Sequence, residues 1–229
     1  MHKIEKKELK SGERRTEKNQ KRRCVIVGAA EITEYDRIKS CLREDDFFVY
    51  CDAGLKHLEK LGRKPELIIG DFDSFEKPET DIETITLPCE KDDTDTVYAV
   101  KEAIRRGFCE FLLIGVIGQR LDHTLGNVYI LYMLEEAGMH GVILDDYSEM
   151  ELILEGQERK KRVEDSFAFF SLVNVGGEAE GVTIRNAKYP LENGTICRDY
   201  QYGVSNEVIP GKTAEIFLKK GSLLLIKDF

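Results

Sequence analysis

The chain has 229 residues, 41% of them hydrophobic and 34% charged, with a formal net charge of −9. That length supports a sizeable buried core in one or two domains, and no apolar run nears the roughly 18 residues of a membrane-spanning helix. The charge is uneven: Met1 to Arg23 carries ten Lys/Arg and four Glu, so the other 206 residues hold 24 of the 34 basic groups and 39 of the 43 acidic ones. An acidic body lacks the cationic footprint that releases counterions from a duplex, which argues against nucleic-acid binding. The basic tail, residues 1–23, has no aromatic or apolar anchor for a membrane and no apolar signal core, and reads as a flexible, solvated extension. Cys24, Cys41, Cys51, Cys89, Cys109 and Cys197 are scattered without a CxxC pair. This excludes a zinc cluster or a disulfide-stapled scaffold and makes the cytoplasm the expected compartment.

In chain order, short apolar runs alternate with helical patterns from Cys24 to about residue 148. The runs are CVIV at 24, FFVYC at 47, ELII at 66, FLLIGV at 111 and GVILD at 141, and continuous runs of this length suit strands buried on both faces. Between them Tyr35, Ile38 and Leu42 recur at helical spacing, as do Val97, Val100 and Ile104, then Leu125, Val128, Tyr132 and Ala137. The alternation predicts an α/β domain over 24–148 with a mostly parallel, Rossmann-like sheet and helices on both faces. From 149 to 229 the helical pattern stops. Glu151 to Leu154, Phe167 to Val173, Ala214 to Leu218 and Ser222 to Lys227 read as strands, with Gly176-Gly177, Gly181, Asn193-Gly194, Gly211 and Gly221 as punctuation, which predicts a small all-β sandwich.

The candidate site residues cluster where strands of the first half end, the place where parallel sheets bind ligands. In IIGDFDS, Ile68 to Ser74, an extended backbone would aim Asp71 and Asp73 the same way, with Phe72 opposed. Two converging carboxylates repel unless a proton or cation intervenes, and hard oxygen ligands select Mg²⁺. In KDDTDT, Asp92, Asp93 and Asp95 precede or open the helix that begins near Thr94. One acidic cap suffices for a helix start, so Asp95 is the expected third metal-directed carboxylate, and Lys91 would meet a phosphate. GVIGQRLDHTLGN, Gly115 to Asn127, leaves a strand and enters a helix. Its glycines and helix N-terminus suit phosphate oxygens, Arg120 offers a bidentate fork, and Asp122, His123, Thr124 and Asn127 supply polar groups. In YCDAG, Asp52 would accept from a nucleotide hydroxyl and Gly54 would permit the turn. PGKTAE at 210 is not a Walker A loop, because Asn206 stands where a glycine is required and the segment leads into a strand. NGT at 193 reads as a hairpin turn.

Together CDAG, IIGDFDS, KDDTDT, GVIGQRLDHTLGN, KYPL at 188 and GVSNE at 203 resemble, in that order, the bacterial thiamine pyrophosphokinase family. The resemblance runs from about Cys24 to Lys227. It implies transfer of the pyrophosphoryl group of ATP to the hydroxyl of thiamine, giving thiamine diphosphate and AMP, by an α/β catalytic domain joined to a β-sandwich that binds thiamine. It further implies Mg²⁺ as cofactor on Asp71, Asp73 and Asp95, catalysis by these and Arg120, and nucleotide binding near Asp52, Gly54, Lys91, Asp92, Arg120 and Asp122. Ser205 and Asn206 would hydrogen-bond the aminopyrimidine of thiamine, in a homodimer with active sites between subunits. The rival readings are a diphosphokinase of the same fold acting on another hydroxymethyl compound such as a pterin, and a non-catalytic nucleotide or thiamine sensor. The matches in the β half weigh against the first, and the retained carboxylates weigh against the second.

Overall fold

The aliphatic runs become strands from which water is excluded. Val25, Ile26, Val49, Ile69, Leu113 and Ile114 are wholly buried, as expected where helices cover both faces of a parallel sheet. A computed structural model describes residues 19, 21–73, 77–90, 92–155 and 160–229; nearly all of the basic tail lies outside them. The chain divides into two units, one ending at Asp146 and one beginning at Tyr147.

In the first unit, β1 (Arg23–Val27), β2 (Phe47–Cys51), β3 (Leu67–Gly70), β4 (Thr84–Thr86), β5 (Glu110–Ile114) and β6 (His140–Leu144) run in the order β4-β3-β2-β1-β5-β6. Every pairing is parallel. Successive strands step outward one way from β1 to β4, and β5 then returns to the other side of β1. Such a reversal leaves a crevice beyond the carboxyl ends of the strands that flank it. The helices are α1 (Tyr35–Ser40), α2 (Leu58–Leu61), α3 (Asp95–Arg105) and α4 (Leu121–Glu136), with a 3₁₀ helix over Asp52–His57. Thr94 caps α3, its Oγ1 accepting from the Val97 N–H at 3.3 Å, and Ala99, Val100, Ala103 and Ile104 form its buried stripe. At the opposite end of the sheet the buried Asp46 accepts from Arg23 at 3.0 and 2.7 Å and from the Arg43 N–H at 2.8 Å. These bonds pair a charge that would otherwise be costly to bury.

In the second unit, β7 (Ser148–Leu154), β13 (Ser222–Asp228) and β9 (Phe169–Val173) pair antiparallel. A four-stranded sheet has the order β11-β10-β12-β8, formed by β8 (Lys161–Glu164), β10 (Ala179–Arg185), β11 (Leu191–Ile196) and β12 (Thr213–Phe217). Phe170, Leu172, Leu223 and Leu225 from the first of these sheets share a core with Val163, Val182, Ile184, Ile196 and Ile216 from the second. The fold is thus the expected α/β half followed by an all-β sandwich. Two readings of the punctuation are corrected. Gly181 lies inside β10, and Asn193-Gly194 lies inside β11, where no hairpin turn occurs. The register of β10 on β11 shifts between Glu180 and Val182 and again before Ile184, and the positive φ of Gly181 (68°) and Asn193 (50°) absorbs these bulges.

Phe170 is fully buried at the centre of this core. Phe170→Ala should cost roughly 3–5 kcal/mol, read as a lowered urea midpoint; a loss under about 1 kcal/mol would contradict its place in the core.

Candidate active site

The crevice at the order reversal is a cavity of about 550 Å³. Its walls are the segments that leave three strands: Gly28 to Glu31 after β1, Cys51 to Ala53 and Lys56 at and after the end of β2, and Gly115, Val116 and Gly118 to Arg120 after β5. The starts of α3 (Thr94 to Thr96) and α4 (His123, Thr124, Asn127) complete it. Glycine brings these segments together. A Cβ on Gly54 would lie 2.4 Å from the Val27 carbonyl oxygen, and one on Gly70 would lie 2.9 Å from Cβ of Asp52. Gly54 therefore packs the end of β2 against β1, and Gly70 packs the end of β3 against Asp52.

Asp52, Asp71 and Asp73 each bring a carboxylate oxygen within 4.8 Å of the others. The convergence does not come from an extended strand, as the i, i+2 spacing suggested. Phe72 is left-handed at φ 55°, as is Asp52 at φ 38°, and the Asp73 N–H turns back to Asp71 Oδ1 at 3.4 Å. A bulky side chain at positive φ costs energy that the surrounding structure must offset. Burial raises the Asp52 carboxyl above its ordinary range; a hydrogen bond from Ala53 opposes this, and the charges of Asp95, Asp71 and Asp73 push it further up. Asp52 Oδ1 is buried and has no hydrogen-bond partner among the described residues. Clustered carboxylates with such an oxygen fit a hard divalent cation. Asp95, in the first turn of α3, lines the cavity and adds its charge to the same group.

The remaining sequence candidates divide by what already holds them. Arg120 is at the cavity wall as N-cap of α4, and its guanidinium pairs with Asp122 at 2.6 Å, both side chains exposed. His123 faces the cavity and is exposed. Thr124 Oγ1 accepts from the Gly118 N–H and donates to the Gly118 carbonyl, both at 3.1 Å, closing the loop that leads into α4. Asn127 is buried and donates to the Val116 carbonyl at 2.8 Å, so its amide serves the turn. Asp92 is exposed and does not line the cavity, while Asp93 pairs with Lys101 at 2.7 Å. Lys91 lies outside the described residues.

In the second unit, Ser205 is exposed at φ 59°, its N–H on Ser171 Oγ at 3.0 Å. Asn206 is buried. Its Oδ1 accepts from the Tyr189 and Glu207 N–H groups at 3.0 and 2.9 Å, and its Nδ2 donates to the Tyr189 carbonyl at 2.8 Å. It clamps the KYPL segment to the SNE segment. Sequence reasoning passed over Gly28 to Glu31 and Lys56, although the first strand's carboxyl end lies where a reversed sheet order opens its crevice. Lys56 Nζ lies 3.6 Å from Glu31 across the cavity wall.

Fold and site together define a two-part protein, a parallel-sheet unit with clustered carboxylates beside its crevice followed by a β-sandwich. Residues 38–143 match the family model for the thiamin pyrophosphokinase catalytic domain, and residues 159–223 match that for its vitamin B1 binding domain. The chain belongs to the thiamine pyrophosphokinase family. It is 26% identical over 191 residues to the thiamine pyrophosphokinase of Bacillus subtilis (strain 168), covering 81% of this chain and 88% of that one. The crystal structure of thiamin pyrophosphokinase from Geobacillus thermodenitrificans superposes with a TM-score of 0.76 at 27% identity, covering 90% of this chain and 97% of that one. That of the Bacillus subtilis enzyme superposes with a TM-score of 0.77 at 23% identity, covering 91% and 99%.

A carboxyl whose pKa is raised on folding is penalised as the anion. The penalty starts as pH rises past its unfolded value, near 3.9, and is complete above the folded one. Asp52→Asn should therefore melt at a higher temperature than the parent at pH 7 without divalent cations, with the difference vanishing below about pH 3.5. A cation at a hundred times its Kd should stabilise the parent by about 2.7 kcal/mol and the variant by much less. An Asn variant that melts lower at pH 7 and gains equally from the cation would refute this.

Proposed function

We propose that this protein transfers the pyrophosphoryl group of ATP to the hydroxyl of thiamine, giving thiamine diphosphate and AMP. The observation that carries the reading is the convergence of Asp52, Asp71 and Asp73 beside a cavity that also receives the start of α4. Carboxylates for a cation and a helix N-terminus for phosphate oxygens are the two supports a polyphosphate needs. The match of residues 159–223 to a vitamin B1 binding domain supports thiamine as acceptor.

In the transfer, the thiamine hydroxyl oxygen bonds to the β-phosphorus of ATP. The bond from that phosphorus to the α,β-bridging oxygen breaks, AMP departs, and the hydroxyl proton passes to a carboxylate of the cluster or to water. Such reactions depend chiefly on positioning and charge neutralisation. Asp52, Asp71 and Asp73, with Asp95 beside them, would hold Mg²⁺, which neutralises phosphate charge when bound. Arg120 would exchange its partner Asp122 for a phosphate oxygen, and Lys56 adds a second cation on the wall. Ser205 presents the exposed hydroxyl for thiamine, and the Asn206 clamp holds it in place. The homodimer implied by the family finds support in α4, whose Leu121, Leu125 and Tyr129 are exposed at 67%, 53% and 56% although the helix is apolar on its other face. None of the six cysteines is joined in a disulfide among the described residues, and the cytoplasm is the compartment we assign.

Incubation with ATP, Mg²⁺ and thiamine should release AMP only when thiamine is present, with a product heavier than thiamine by two phosphoryl units. AMP at background would sink the thiamine assignment. Asp71→Asn and Asp73→Asn should each lower turnover by roughly 10²-fold or more, a barrier increase of about 2.7 kcal/mol; near-parental rates at saturating Mg²⁺ would remove the carboxylates from the mechanism. Sedimentation should give twice the mass of a single chain.

A further inference from the structure

His57 is 1% exposed and does not line the cavity, yet it touches the chain segments that form one wall. Its Nε2 is 2.8 Å from the Ala30 carbonyl oxygen and its Nδ1 is 2.7 Å from the Tyr35 hydroxyl. A carbonyl only accepts, so Nε2 carries the proton and Nδ1 of the neutral ring accepts from Tyr35. Both ring nitrogens are spent, which leaves His57 no atom for a substrate. Burial holds its pKa below the usual imidazole value; the Ala30 hydrogen bond opposes this, Lys56 and Lys60 repel a ring proton, and Glu31 favours one.

The partners give these two bonds their consequence. Ala30 lines the cavity, its N–H donates to the Gly115 carbonyl at 2.8 Å, and a Cβ on Gly118 would lie 2.8 Å from the Ala30 methyl. Ala30 thus seats the loop after β1 against the loop after β5. His57 closes the 3₁₀ helix that starts at Asp52 and includes Lys56. Tyr35 begins α1, and its ring lies 5.1 Å from the Lys60 ammonium. A single imidazole therefore ties the helix bearing Asp52 and Lys56 to the loop Gly28 to Glu31 on the same cavity wall.

We infer that His57 is a positioning residue for the nucleotide: through Ala30 and Tyr35 it fixes the loop after β1 against the 3₁₀ helix, so that the wall is shaped before ATP arrives. The inference rests on the proposed ATP-dependent reaction. Preorganised walls lower the ordering cost of binding. Loss of the strut therefore acts on nucleotide affinity and leaves the thiamine-binding unit untouched.

The test compares the parent with His57→Leu, which removes both bonds, and His57→Gln, whose Nε2 can still donate to Ala30. KM for ATP should rise about tenfold in the Leu variant while KM for thiamine stays within twofold. The Ala30 amide should exchange with solvent at least tenfold faster, and the Gln variant should recover most of both effects. If His57→Leu fails to fold, Tyr35→Phe replaces it, with an expected rise of about threefold in KM for ATP alone. Equal rises in both KM values, or an unchanged KM for ATP with unchanged Ala30 exchange, would overturn the inference and leave His57 an ordinary core residue. Should the parent release no thiamine-dependent AMP, the functional reading falls, and Ala30 exchange in the same variants still decides whether the strut exists.

Discussion

Mutual repulsion among Asp52, Asp71 and Asp73 is the constraint around which the first unit is arranged. Their oxygens lie within 4.8 Å of one another, Asp95 stands close enough to add its charge, and like charges at that spacing disfavour one another's ionised forms. Left to itself such a cluster would splay. What prevents it is backbone that cannot easily move: Asp52 leaves a strand buried on both faces, and Asp71 follows another beside it in the sheet. Gly70 admits no side chain between the end of β3 and Asp52, and Gly54 admits none between the end of β2 and β1. The left-handed Phe72 and Asp52 record the strain that remains. Repulsion held in place by a rigid sheet is what a hard divalent cation at this point would offset.

The second unit meets a different demand with different means. A small sandwich has little area with which to fix its loops, and the stretch from Tyr200 to Val204 leaves Tyr200, Tyr202 and Val204 exposed. The buried Asn206 makes two hydrogen bonds to Tyr189 that join the segment after β10 to the segment before β12 and accepts a third from its neighbour Glu207, and its backbone pairs with Phe170 of the core. Phe170 and Asn206 thereby couple the apolar interior to a polar surface loop. This explains why an asparagine sits where a purely apolar contact would pack as well: an amide satisfies both backbone partners of Tyr189, which a hydrocarbon would leave unpaired.

How much of this was readable beforehand follows from which forces are local. Continuous aliphatic runs announced β1, β2, β3, β5 and β6, because burial on both faces leaves a mark in every residue. β4 and β8 left almost none: Thr84–Thr86 has three residues, and Val163 is the only buried residue of Lys161–Glu164. β10 and β11 were hidden by Gly181 and Asn193-Gly194, whose turn-forming chemistry here serves bulges. Asp71 and Asp73 were legible as paired carboxylates at a strand end, and Asp95 as one carboxylate more than a helix cap requires. That Asp52 completes the tightest group was not legible, since it depends on β2 and β3 lying side by side, a pairing no local pattern encodes. The extended conformation assumed for Asp71 to Asp73 failed because Phe72 takes a left-handed φ of 55° and the Asp73 N–H turns back to Asp71 Oδ1.

The same separation of local from non-local explains the character of His57. Its neighbours in the chain, Lys56 and Leu58, reveal nothing unusual, and a lone histidine on an apolar stretch reads as core. Its bonds run instead to residues 27 and 22 positions earlier, across the fold rather than along it. Asp52 of the carboxylate cluster and the imidazole of His57 are therefore the two ends of one short helix. One end carries the carboxylate that faces Asp71 and Asp73, and the other carries the hydrogen bonds to Ala30 and Tyr35. The stiffness of this cavity wall comes from the sheet on one side and from an imidazole with both nitrogens bonded on the other.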